Sequence, residues 1–320
     1  MITARALTRS FRTKTGTVDA VRGIDLDVAA GQIVGLLGPN GAGKTTTLRM
    51  LTTLLAPTSG EATVAGADLR TQPREVRRRI GYVAQIGATP APGTRLGEEL
   101  VVQARLQGMS RAAAEERLRT LLPRLDLDGL AARALAELSG GQRRRFDVAL
   151  GLVHDPKLVF LDEPTTGLDP QSRANLWEHI RSLRDVSGAT VLMSTHYLDE
   201  ADALADRIVV MDHGEVVADD TPDALKAQVA GDVVTVHVDG DLHRAEQVAR
   251  RALPLRGAST SADALHLTVE RGDLAVAPLL RALDAEGFAL RTVSVARPTL
   301  DDVFLTLTGR SLREETAPAA

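Results

Sequence analysis

The chain has 320 residues, 44% hydrophobic and 25% charged. That is the balance of an ordinary globular protein of about two domains, and it excludes global disorder, collagen and small disulfide scaffolds. A formal net charge of −4, only 2% aromatic residues and no cysteine exclude a bulk nucleic-acid binder, a base-stacking platform and any thiol or Cys-based metal chemistry.

The first 30 residues alternate polar and apolar, and stretches 2–7 and 24–28 read as strands of an antiparallel piece. Residues 32–37 form a short apolar run that ends in a Gly-rich loop. A helix is expected from Thr45 onward, which gives strand, loop and helix, the first unit of a nucleotide-binding α/β fold. Residues 95–136, rich in Ala, Leu, Arg and Glu, read as several helices broken at Gly108, Pro123 and Gly129. Stretches 158–161 and 190–194 are short apolar strands, as in a parallel sheet covered on both faces. Residues 207–211 and 215–218 read as a hairpin around His213-Gly214. Beyond about Ala230 the pattern becomes strand, helix, strand, helix, strand (233–238, 242–253, 264–269, 274–285, 290–295), a small α+β domain of ferredoxin-like type. Residues 313–320 read as a frayed tail. No apolar window is long enough to span a bilayer, and the first twelve residues lack the apolar run of a secretion signal.

Three stretches carry chemistry. Gly38-Pro39-Asn40-Gly41-Ala42-Gly43-Lys44-Thr45 fits G-x-x-x-x-G-K-[ST] in the required strand-to-helix context. Its glycines let backbone N–H groups curl around phosphates, the helix N-terminus adds its positive dipole, Lys44 can reach β- and γ-phosphates, and Thr45 can ligate Mg²⁺. Lys occurs only at 14, 44, 157 and 226 among 38 Lys plus Arg, so Lys at this slot fits a point-charge phosphate ligand. Second, the strand at 158–161 ends in Asp162-Glu163. Beside the P-loop strand it would set Asp162 near the metal, through water, and Glu163 to orient or deprotonate an attacking water. Third, Leu138-Ser139-Gly140-Gly141-Gln142 precedes a helix that Ser139 would cap. Two glycines there cost backbone entropy, which makes sense where an anion approaches the backbone closely. The following Arg143, Arg144 and Arg145 read as a solvated helix face. Histidines 154, 179, 213, 237, 243 and 266 read as structural.

These stretches, in this order, resemble the ATP-binding cassette (ABC) transporter ATPases over roughly residues 3–220. Gly38 to Thr45 matches Walker A, Gln85 the Q-loop, Leu138 to Gln142 the LSGGQ signature, residues 158–163 Walker B, Gly167-Leu168-Asp169 the D-loop, and Thr195-His196 the switch histidine. The resemblance implies a nucleotide-binding P-loop ABC ATPase domain with a mixed core sheet, an antiparallel β subdomain and a helical subdomain at about 86–150. It implies ATP and Mg²⁺ as cofactors, with Lys44, Gln85, Glu163 and His196 catalytic. Thr45, Gln85 and Asp162 would serve the metal, and Phe11 and residues 38–46, Thr46 included, would hold the nucleotide. It also implies a second copy of the chain, whose Ser139, Gly140, Gly141, Gln142 and Asp169 would complete the site in trans around two sandwiched ATP molecules.

The tail Pro298-Thr-Leu-Asp-Asp-Val-Phe-Leu-Thr-Leu-Thr-Gly309 is similar to the ends of the daunorubicin/doxorubicin-resistance-type ATP-binding subunits, whose partner is a separate ABC-2-type permease. Two features depart from that branch: the Pro-containing segment after Gln85, and Gln142 where Met is often found. The expected organisation is an ATPase domain at 1–228, an accessory α+β domain at 229–312 and the tail. The expected function is the ATP-hydrolysing subunit of an exporter of a drug-like or other hydrophobic compound, peripheral on the cytoplasmic face of the cell membrane and not bound to nucleic acid. An importer subunit is the alternative that the tail argues against. An ABC ATPase acting on DNA or ribosomes is disfavoured, because the interval from Gln85 to Ser139 is too short for a long coiled coil and the chain holds one Walker A and one signature.

Overall fold

The computed structural model describes residues 1–14, 16–85, 87, 93–229, 231–260 and 264–308. The tail at 313–320, Gly309 and most of the Pro-containing segment after Gln85 lie outside the described residues. The chain divides into two compact units, 1–219 and 220–320.

The first unit opens with two long strands, β1 (Ile2–Thr13) and β2 (Gly16–Val28). They run well past the stretches expected from the sequence, because their distal halves are exposed or half-buried and carry no apolar pattern. Then come β3 (Ile33–Leu37), α1 (Lys44–Leu51), β4 (Ser59–Val64), β5 (Ala67–Asp68), α2 (Pro73–Arg79) and β6 (Ile80–Val83). Strands β1, β2, β4 and β5 form an antiparallel sheet in the order β2-β1-β4-β5.

A helical segment follows: α3 (Leu96–Leu106), α4 (Arg111–Arg124) and α5 (Gly140–Leu152). Gly108, at φ +89°, follows the end of α3 as expected. Pro123 does not break α4 but sits inside its last turn, and the helix ends one residue later. Its missing N–H removes one i→i−4 bond, a loss confined to the final turn because the helix has only one more residue to run.

The unit closes with β7 (Leu158–Asp162), α6 (Pro170–Ser187), β8 (Thr190–Thr195), α7 (Leu198–Leu204), β9 (Arg207–Asp212) and β10 (Glu215–Asp220). The central sheet has the order β10-β9-β3-β8-β7-β6, with β9, β3, β8, β7 and β6 parallel. Strands β3, β7 and β8 are buried along their whole length. Leu36, Phe160, Leu192 and Val209 face one apolar core with the antiparallel sheet, while Ile33, Val159, Val191 and Met193 face a second core with the helices. Alternate residues thus feed opposite faces, which is why these strands are apolar throughout.

One expectation needs correcting. The strand that ends in Asp162-Glu163 does not lie beside the P-loop strand, because β8 separates β3 from β7. Helix α1 packs across both β8 and β7, and this crossing carries Thr45 to Asp162.

The second unit contains α8 (Pro222–Val229), β11 (Asp232–Asp239), α9 (Leu242–Ala252), β12 (Leu255–Thr260), β13 (Leu265–Val269), α10 (Gly272–Ala285), β14 (Ala289–Ala296) and α11 (Leu300–Thr308). The unexpected strand is β12. Its Leu-Arg-Gly-Ala-Ser-Thr has no alternation, and its register shifts between Leu255 and Gly257. With it the domain reads strand, helix, strand, strand, helix, strand, in an antiparallel sheet of order β12-β13-β11-β14. That is the ferredoxin-like arrangement, with Val234, Val236, Leu265 and Leu267 packed with Val248, Leu279 and Leu283 in one core. Helix α8 packs on α11, so the division between the units falls at 219/220 rather than at 228/229.

Candidate functional site

The loop between β3 and α1 winds as its glycines dictate. Gly43 has φ +101°, and a Cβ there would lie 2.6 Å from the Ala20 carbonyl oxygen; the backbone conformation and the close approach each demand glycine. Gly43 is also the N-cap of α1, where no side chain caps the helix and no acidic residue sits in the first turn. The opening N–H groups of α1 are therefore available to an anion. Lys44 is 4% exposed, and its Nζ donates to the carbonyls of Gly38 at 2.6 Å and Pro39 at 2.9 Å. Pro39, Asn40, Gly41, Ala42, Gly43, Lys44, Thr45 and Thr46 line an open cavity of about 530 Å³ together with Gln85 and Glu163.

The carboxylates stand where β7 ends. Asp162 is fully buried, and its Oδ1 accepts from Thr45 Oγ1 at 2.9 Å and Ser194 Oγ at 2.7 Å. Glu163 is 6% exposed and has φ +44°, a left-handed conformation that costs a non-glycine residue about 1–3 kcal/mol and survives only where its surroundings enforce it. Here its N–H donates to Ser194 Oγ at 3.0 Å and to the Ser194 carbonyl at 3.2 Å.

Four side chains converge on the Glu163 carboxylate. Gln85 Nε2 donates to Oε2 at 2.8 Å, Thr166 Oγ1 donates to Oε2 at 3.1 Å, His196 Nδ1 lies 3.3 Å from Oε1 and Lys44 Nζ 4.0 Å from it. The adjacent His196 side chain holds the carboxyl below the usual glutamate range against the opposing effect of burial; the charges of His196 and Lys44 and the Thr166 hydroxyl add to it. Glu163 is thus an ionised carboxylate near neutral pH, able to orient a water and take its proton.

A divalent cation is tested by the atoms beside this carboxylate. Asp162 Oδ2 is buried without a hydrogen-bond partner among the described residues, and the Thr45 hydroxyl bonds the other oxygen of the same carboxylate. Such hard oxygen donors fit Mg²⁺.

The residues expected at the signature and D-loop lie apart from this cavity. Ser139 caps α5 in a reciprocal box: its Oγ accepts from Gln142 N at 3.2 Å, and its N–H donates to Gln142 Oε1 at 3.0 Å. Ser139 and Gly140 are exposed. Asp169 is the exposed N-cap of α6, accepting from Ser172 N at 2.9 Å and Ser172 Oγ at 2.7 Å. A Cβ on Gly141 would lie 2.7 Å from that Ser172 Oγ, whereas one on Gly140 would meet nothing within 4 Å. Gly141 therefore has a packing reason within its own chain, where α5 meets α6, and only Gly140 keeps its backbone bare without such a reason.

Phe11 does not line the cavity. It stands across from Val18, which does, and beneath the Arg9 guanidinium at 4.7 Å. The same wall includes Asp19, Ala20, Arg22 and His213. Sequence reasoning missed this wall because β2 and the β9–β10 turn reach it only through folding. It also missed Ser194 and Thr166; a lone Ser in the apolar β8 run was the available signal for the first. Arg144 is a correction: it is 6% exposed and not part of a solvated face.

A lysine-bearing phosphate loop joined to a buried Asp-Glu pair, a glutamine and a histidine defines a P-loop ATPase. The comparisons narrow the class. The ABC transporter family matches residues 21–166, and the C-terminal domain of DrrA1-3-like ATP-binding proteins matches residues 221–308. The daunorubicin resistance ATP-binding protein DrrA2 of Streptomyces coeruleorubidus is 44% identical over 311 residues, covering 95% of each chain. The Nod factor export ATP-binding protein I of Cupriavidus pinatubonensis is 39% identical over 316 residues, covering 98% of this chain and 93% of its own. A dimeric ATP-binding cassette in a post-hydrolysis state, bound to ADP and Pi, aligns with a TM-score of 0.63 at 25% identity, over 69% of this chain and 98% of that one. The chain belongs to the ABC transporter ATP-binding proteins, with a DrrA-like C-terminal domain, and it is an ATPase.

Proposed function

We propose that the chain is the ATP-hydrolysing subunit of an exporter, driving efflux of a drug-like or other hydrophobic compound through a separate ABC-2-type membrane permease. The observation that carries the ATPase assignment is the gathering of Gln85, Thr166, His196 and Lys44 around Glu163 beside the phosphate loop. Export and a hydrophobic cargo are supported by relatives named for daunorubicin resistance and Nod factor export. No helix of the described residues is long and apolar enough to cross a membrane. In this reading a partner provides the transport path, and the chain works from the cytoplasmic face of the membrane.

In this reading, residues 38–46 wrap the phosphates of ATP, with Phe11 toward the adenine, and Lys44 exchanges its Gly38 and Pro39 carbonyls for β- and γ-oxygens. Thr45 and Gln85, with Asp162 through water, would hold Mg²⁺, which would neutralise the charge that develops on the β- and γ-phosphate oxygens. Glu163 accepts the proton of the water that attacks the γ-phosphorus. The bond to the β-phosphate oxygen breaks, and ADP and phosphate leave. His196 keeps the carboxylate in line. A second copy supplies Ser139, Gly140, Gly141 and Gln142 to the γ-phosphate and Asp169 to the junction of the two sites. The exposed cap of α5 supports this, since its open donors complete a phosphate cage only when another surface is brought to them.

The test is Glu163→Gln in the purified chain. Turnover should fall by about 10²–10⁴-fold, the usual worth of a general base, while ATP binding persists and a stable dimer accumulates with ATP. Unchanged turnover overturns the assignment of Glu163, and a variant that stays monomeric with ATP overturns the sandwich.

A further inference from the structure

Arg144 lies in the first turns of α5, two residues after the end of the signature, and it is buried. Its guanidinium reaches the backbone of the two segments that carry Gln85 and Glu163. Nε donates to the Pro164 carbonyl at 2.6 Å. Nη1 donates to those of Ala84 at 2.7 Å and Gln85 at 3.3 Å. Nη2 donates to those of Asp162 and Glu163, each at 3.2 Å. The guanidinium's five N–H donors therefore meet five carbonyls, while Asp147, a nearby carboxylate, lies 3.9 Å away. A buried cation spent on main-chain oxygens rather than on a carboxylate fixes backbone.

The backbone it fixes belongs to the pair whose side chains meet at 2.8 Å, Gln85 and Glu163. Glu163 is also the residue held at φ +44°. Ser194 secures its N–H side, and Arg144 secures its carbonyl side. The other end of the lever is the exposed cap Ser139, five residues earlier on the same rigid helix.

Resting on the reading of Glu163 as general base and of Ser139 as a trans phosphate contact, we propose that Arg144 is a positioning residue. It couples the signature helix to the Gln85–Glu163 pair, so that a phosphate engaged by the signature at one site sets the catalytic carboxylate of the other. Lysine cannot replace it, because three donors on one nitrogen cannot span two chain segments in a planar fork.

The test compares Arg144→Lys and Arg144→Gln with wild type and Glu163→Gln, all as the purified full-length chain. The measurements are Mg-ATP affinity, kcat, KM, the Hill coefficient for ATP and the melting temperature. Both Arg144 variants should keep ATP affinity and KM within about threefold. Their kcat should fall at least about tenfold, and their Hill coefficient should drop toward one. A kcat within twofold of wild type, a loss that tracks ATP affinity, an unchanged Hill coefficient, or melting so early that no native protein remains in either variant overturns the coupling role. If Glu163→Gln turns over normally, the underlying reading fails instead, whatever the Arg144 variants do.

Discussion

Two regions of the first unit enter the proposed phosphate site, and they are built in opposite ways. Around the P-loop, Lys44, Asp162 and Glu163 are at most 6% exposed, and each is tied to protein partners. At the start of α5 and α6, Ser139 and Asp169 are exposed, and each is satisfied within its own helix turn. The buried region has its electrostatics arranged in advance, its charged groups held by protein partners, which makes its charges effective. The exposed corner keeps bare backbone at a helix start and gains force only from an added surface. In the proposed function, such a division lets the buried region hold a nucleotide while hydrolysis waits for a second copy.

The largest test of this contrast falls on the buried side. Lys44→Ala removes the buried cation and strands the Gly38 and Pro39 carbonyls. ATP affinity and turnover should both fall by about 10²-fold or more, on the scale of losing one fixed donor to a developing charge. Equilibrium binding with a fluorescent nucleotide reads the first and phosphate release the second. Wild-type binding by the variant would break the comparison at its strong end.

A smaller effect sharpens the exposed corner. Gly141→Ala should destabilise the chain by about 1–3 kcal/mol through overpacking against Ser172, which is seen as a lower denaturant midpoint without nucleotide. Gly140→Ala meets open space and should leave stability unchanged or raise it by up to about 1 kcal/mol. Its turnover should nevertheless fall, if this backbone faces the partner's phosphate. Equal behaviour of the two variants in both measurements would erase the distinction.

The smallest effect concerns a buried acid outside the cavity. Glu200 in α7 is fully buried and accepts from Trp177 Nε1 of α6 at 3.2 Å. Burial pushes its carboxyl up. A raised folded-state value means that stability is full below the ordinary glutamate range and declines as pH rises toward the folded value. Glu200→Gln should therefore match wild type near pH 4 and melt above it near pH 8. A melting difference that does not change with pH would rule this out.

Much of the site was legible before folding. Lys44, Thr45, Gln85, Asp162, Glu163 and His196 each occupy a slot whose neighbours define it, and the fold brings them together. The P-loop strand and the Asp-Glu strand read as neighbours because both are short and apolar, and such runs carry no order within a sheet. The second unit lost a strand, β12, for the reverse reason: an irregular edge strand shows no pattern at all. The arginine triplet looked solvated because charge alone does not reveal whether a helix turns toward water or toward another loop.

The sequence by itself determined the chemistry. Glycine spacing, a lysine at the helix start and acids after an apolar run are local requirements of phosphate and metal binding, written within a few residues of one another. Only the tertiary structure decided the support: the insertion of β8 between β3 and β7, the wall from β2 and His213, Ser194 beneath the carboxylates, and Arg144 across five carbonyls. These contacts join residues far apart in the chain, and long-range packing leaves no periodic signature in either partner.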